Sequence, residues 1–233
     1  MRTYADKGDK RVWIAGNKAD DDKRFCTLQL ACRFKNGSPT KKRRGQPRIC
    51  IVFRGQGKRI SAQEKKGWHP DVKVFFQPKA WFDDELCLAY VRSEMGLMSE
   101  EARAAGRETC IILDNLRGQT TPQFMNELKK KKCVGHLLPS GVTDELQAID
   151  DGLGHRTKNV MGDEFDHWAM QDNNLARWTA ETPAAGDETA VKPIAAWEKR
   201  VLTTQLAAKA WDKVCDTYNF EKSATCHDRR WHR

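Results

Sequence analysis

An α/β fold, with a mixed sheet and helices packed against it, is what this sequence predicts, and three observations predict it. Residues 24–33 and 49–54 are short β-rich segments on either side of a polar loop, which reads as an antiparallel pair. The apolar runs 109–113 and 133–138 flank a stretch with helical spacing, Thr120 to Leu128. Residues 194–218 place Trp197, Val201, Ala208, Trp211 and Cys215 on one stripe, as a long helix docking on a core would. Strands alternating with helices in this order call for a sheet with helices laid on it.

Taken in order, residues 12–14 (Val-Trp-Ile) form a first short strand before a polar turn. Residues 24–33 alternate with period two, as a half-buried strand does, while 49–54 is a compact strand rich in β-branched residues closing on Gly55 and Gly57. Residues 72–76 give a third strand of this part. Pro78 and the acidic Asp83-Asp84-Glu85 then announce a helix, with Phe82, Leu86, Ala89 and Tyr90 recurring at helical spacing to about Arg92. After the pair of apolar runs, residues 143–150 open another helix behind a Thr143 cap. Residues 1–175 are thus expected to form the core, 176–190 a linker of small and charged residues, and 191–233 a terminal helix with a polar tail.

Composition narrows the classes of function. The chain has 233 residues, 39% hydrophobic and 31% charged, and no apolar run approaches the roughly 20 residues of a membrane span. No secretory signal pattern opens it. Its eight cysteines form no CxxC pair, and several lie in apolar runs, so an intracellular, reduced protein without structural zinc is expected. With 41 Lys+Arg against 32 Asp+Glu, a net charge of +9 favours a polyanionic partner, of which DNA or RNA is the usual one.

Two carboxylates stand out. Asp114 ends the apolar run 109–113, and an Asp-Asn pair there serves either as turn chemistry or as a metal ligand. On the helix 143–150, Leu146, Ile149 and Leu153 share an apolar face and Asp150 lies on its flank, where its charge needs compensation. Asp144 and Glu145 are accounted for as first-turn acids. Magnesium takes a few carboxylate oxygens together with water and phosphate oxygens, so two or three acids suffice to hold it.

The segment Ile112-Leu113-Asp114-Asn115, followed by Leu137-Leu138-Pro139-Ser140-Gly141-Val142-Thr143-Asp144-Glu145-Leu146-Gln147-Ala148-Ile149-Asp150, resembles the DDE superfamily endonuclease domain, the pogo/mariner-type transposase core. Residues 23–27, 51–55 and 197–200 also look family-like. The resemblance implies a ribonuclease-H-like mixed sheet with flanking helices and a C-terminal helical extension. It further implies Asp114 and Asp150 as catalytic metal ligands for Mg2+ or Mn2+, cleavage and strand transfer on DNA without a covalent intermediate, mobile-element origin and a nuclear site of action. Three positions depart from the family pattern. Ala148 stands for a usual Pro, Gln119 stands for a frequent His, and the family's first aspartate, with its strand, has no counterpart before Met1, Asp6 and Asp9 lying beside a glycine turn. The expectation is a core impaired in catalysis; the alternative is a non-catalytic, domesticated module that binds DNA or protein. No DNA-reading helix-turn-helix precedes the core, so DNA contact is expected to be non-specific.

Lys41-Lys42-Arg43-Arg44 serves either as a phosphate-contacting and nuclear-import run or as a solvated hairpin tip. Lys129 to Lys132 suits the C-terminal end of a helix. Gly55-Gln56-Gly57-Lys58 lacks the remainder of a phosphate loop. His136 is expected as a satisfied strand histidine, His155 in an ion pair near Asp150 and Asp151, and His167, with Asp163, Glu164 and Asp166, on a solvated helix face.

Overall fold

Strand β2, Ile49–Arg54, is the hinge of the architecture because its run of apolar residues is buried on both faces. A computed structural model describes residues 25–31, 48–95, 104, 106, 108–139, 152–180 and 191–217. Strand β1, Cys26–Gln29, pairs antiparallel with β2 in the register Cys26 to Phe53, and β3, Val72–Gln77, pairs with β2 in parallel, Ile49 facing Val72. The antiparallel pair is the one predicted. A parallel pair needs a crossover, and helix α1, Ala62–Gly67, which the sequence pattern does not announce, supplies it. The Ser61 hydroxyl caps it by accepting the Glu64 N–H at 3.0 Å.

Helix α2, Asp84–Tyr90, starts where the acidic triplet predicted, with the Asp83 carboxylate accepting the Leu86 N–H at 3.0 Å, and runs into a π-type turn, Val91–Met95. Strands β4, Thr109–Leu113, and β5, Cys133–Leu137, then form a parallel two-stranded sheet with α3, Pro122–Lys130, as its crossover. Thr121 caps α3 and Pro122 occupies its first turn, where a missing N–H costs nothing. Helices α4, Gly154–Ala169, α5, Asn174–Thr179, and α6, Ala196–Thr217, complete the described chain. The fold is therefore mixed α/β, with the strands among the described residues in a three-stranded and a two-stranded sheet and helices flanking both, compatible with a ribonuclease-H-like architecture.

Alternation along β2 makes two cores. Ile49, Ile51 and Phe53 point toward α6 and meet Ala207, Ala208, Trp211 and Val214, with Leu153 from the approach to α4. Cys50 and Val52 point the other way, into a cluster with Cys87 and Tyr90 of α2, Leu113 of β4, Phe124 and Leu128 of α3, and Cys133 of β5. One strand thus joins a layer of helices on each side, and the second core ties the two sheets together. The terminal helix docks as expected, its predicted stripe residues Ala208 and Trp211 fully buried. No helix among the described residues is long and apolar enough to cross a membrane. The predicted strand 12–14, the loop with Lys41, Lys42, Arg43 and Arg44, and the helix 143–150 lie outside the described residues.

Candidate metal centre

Asp114 follows the last residue of β4, at the carboxyl end of a parallel strand, where α/β folds commonly place their ligands. Its side chain is half-buried. Its Oδ1 accepts the N–H of Leu116 at 3.2 Å, an Asx turn that fixes the carboxylate's direction. The turn reading of the Asp-Asn pair is thus the one seen here, and it engages one of the two carboxylate oxygens.

Asn115 does a different job. Its Nδ2 donates to the Leu138 carbonyl at 2.9 Å, and the Leu138 N–H donates to the Leu113 carbonyl at 3.0 Å. The ends of β4 and β5 are clamped together by these two bonds. The chain that continues through Pro139 toward Asp150 consequently departs from beside Asp114.

A short 3-10 turn, Arg117–Gln119, follows, and α2 seats on it. A Cβ on Gly118 would lie 2.7 Å from the Cys87 sulfur and 3.2 Å from the Asp84 Cα, so only glycine lets α2 approach this closely. Cys87 is buried, and its thiol is pushed up to about 12, first by burial and then by the charges of Asp84, Asp83 and Asp114. It is a packing group and stays protonated, not a nucleophile. Its surroundings also place Asp83, Asp84 and Asp114 around one end of α2.

A carboxylate oxygen is the hard donor that magnesium and manganese prefer, and the oriented Asp114 fits such an ion. Asp150, its expected partner, lies outside the described residues, as do Lys41, Lys42, Arg43 and Arg44. Among the described residues no group of three or more His, Cys, Asp or Glu is gathered closely enough to hold a metal.

The other candidates have structural explanations. Glu164 is engaged by Lys209 at 2.5 Å and by Lys213, both on α6, and these cations hold its carboxyl below the usual range, so it belongs to a helix–helix contact. His155 shares a hydrogen bond with Asn159 at 2.9 Å, one turn along α4, while Asp150 and Asp151, its expected ion-pair partners, lie outside the described residues. His136 lies in strand β5 as expected, opposite Ile112, and is exposed. Lys129 and Lys130 do end α3, and Lys130 also pairs with Glu127 at 3.0 Å. The clamp made by Asn115 has a local signal in the sequence, the Asp-Asn pair, whereas the reason for Gly118 lies on another helix and leaves none.

No curated protein and no solved structure matches the chain. A family model does match, over residues 44–214, which takes in β2 through most of α6 and the whole Asp114 region. A chain with Asp114 oriented at the end of β4, the Asn115 clamp beside it and this match along most of its length belongs to the DDE superfamily endonuclease family.

Proposed function

We propose that this protein is a mobile-element transposase or endonuclease domain that cleaves phosphodiester bonds in DNA with divalent metal, Asp114 and Asp150 holding the ion. The observation that carries the reading is the oriented carboxylate of Asp114 at the end of β4, in a chain of this family. When bound, magnesium or manganese would activate the attacking hydroxyl and stabilise the departing oxygen. The protein's own part is positioning. The Leu116 N–H aims the Asp114 carboxylate, and the Asn115 clamp sets where the segment bearing Asp150 leaves β5. Gly118 lets α2 pack behind the site and hold the turn still.

The partner in this reading is DNA, attracted by the net charge of +9 and contacted through phosphates, with Lys41, Lys42, Arg43 and Arg44 as one contact and as the signal that takes the protein to the nucleus. Nicking of supercoiled plasmid tests the reading. The full chain should nick in magnesium or manganese and stop in chelator. Asp114→Asn and Asp150→Asn should each slow nicking by roughly a hundredfold or more, since even supporting groups around a metal are worth about 10–100-fold. Equal nicking by all three proteins would refute the assignment of the two aspartates.

A further inference from the structure

The turn between β3 and α2 is fixed more firmly than a connection requires. Gln77 Oε1 accepts the N–H groups of both Lys79, at 2.6 Å, and Trp81, at 3.1 Å. The Ala80 N–H donates to the Gln77 carbonyl at 2.9 Å, and the Ala80 carbonyl accepts the Thr27 hydroxyl of β1 at 2.6 Å. Ala80 itself is fully buried with φ of 55°, a left-handed conformation that residues with a Cβ avoid. Strain kept in place by surrounding hydrogen bonds concentrates at positions that do something.

What this turn presents is Trp81. The indole is 56% exposed, and the Lys79 ammonium lies 5.3 Å from its ring centroid. Burial does not explain a large aromatic held out toward solvent on a rigid turn. A fixed indole beside a cation suits a nucleotide, whose base stacks on the ring while its phosphate meets the ammonium. The position suits it too. Three residues on, Asp84 packs against Gly118, four residues beyond Asp114, so the turn and the carboxylate open on the same end of α2. The nearby acids Asp83 and Asp84 sit in the cap and first turn of α2, while Arg117, exposed on the 3-10 turn, adds a second cation there.

We propose that Trp81 and Lys79 form a contact for an unpaired nucleotide strand, the stretch of DNA opened beside the bond cut at Asp114. This rests on the DNA-cleaving reading and adds the part of the substrate that the turn grips.

Fluorescence anisotropy on the full chain, with a labelled oligothymidylate and a duplex of equal length, tests it. Trp81→Ala should weaken single-strand binding by roughly tenfold and duplex binding by less than about twofold, the scale of one lost stacking contact. Trp81→Phe, which keeps a ring to stack on, should stay within about threefold of the parent on the single strand. Lys79→Ala should lower the slope of log affinity against log salt by about 0.7 on the single strand, as one lost phosphate contact does. An unchanged single-strand affinity in Trp81→Ala, as for a turn that docks protein, would overturn the proposal. So would an equal loss on both DNA forms. Failure of the parent protein to bind either form at low salt would defeat the DNA reading itself, whereas the two preceding results leave that reading standing.

Discussion

Gly118 is the residue where chemistry and packing come closest together. Any Cβ there must displace the Cys87 sulfur or the α2 backbone, since the gap to the sulfur is 2.7 Å. Gly118→Ala should therefore cost about 1–3 kcal/mol, the usual price of overpacking a core. Urea unfolding would register this as a lower midpoint at unchanged slope; an unchanged midpoint would mean the contact relaxes freely. Asn115→Ala removes the bond to the Leu138 carbonyl. It should cost about 1 kcal/mol in stability and slow nicking further than that loss explains, because the clamp also places the chain leading to Asp150. Nicking that merely tracks the folded fraction would contradict a positioning role. Of these residues, Asp114 and Asn115 were readable because the signal is local, an Asp-Asn pair at the end of an apolar run. Gly118 was not, because its reason for being glycine is a sulfur on another helix. Trp81 was equally silent: in sequence it is one aromatic before an acidic triplet, and only the fold reveals that it faces solvent.

Among the elements, α1 and α6 are joined by a pair that the sequence hides. Arg200 donates from Nε to Glu64 Oε1 at 2.7 Å and from a terminal nitrogen to Oε2 at 2.8 Å, a bidentate grip on a carboxylate only 1% exposed. Removing the cation strands that charge, so Arg200→Met should destabilise the protein by about 3 kcal/mol. Replacing both partners, Glu64→Leu with Arg200→Met, should recover most of the loss; a double variant no better than the single one would show that the pair's value is not electrostatic. Helix α1 is not legible in the sequence for a related reason. It is six residues long and the one residue it buries is Glu64, so it offers no apolar periodicity, and the partner that justifies it lies 136 residues away. Strand β2 and helix α6 were legible because burial wrote itself into their composition, as a continuous apolar run rich in β-branched residues and as a long apolar stripe.

At the scale of the whole molecule, helices lie on both sides of β2, and the layers on one side are joined through charge as well as apolar packing. Lys209 and Lys213 of α6 hold the Glu164 carboxyl of α4 below its ordinary range. A depressed folded value means that this stabilisation is present above the unfolded carboxylate range and is lost as pH falls through the lower, folded value. Thermal midpoints should thus decline on acidification below the ordinary carboxylate range, and Glu164→Gln should flatten that decline. An identical pH profile in the variant would remove the pair from the account. What the sequence conveyed at this scale was the class of fold and the family, through strand-helix alternation and the residues around Asp114. How the strands divide into two sheets was not conveyed, because pairing between distant strands leaves no local mark.

The central claim is that Asp114 and Asp150 hold one divalent ion between them. Manganese titration followed by electron paramagnetic resonance, on the intact chain and on Asp114→Asn and Asp150→Asn, reads that claim without depending on turnover. The account predicts saturable binding by the parent protein and at least roughly tenfold weaker binding in each variant. Parent-like manganese affinity in either variant would contradict it.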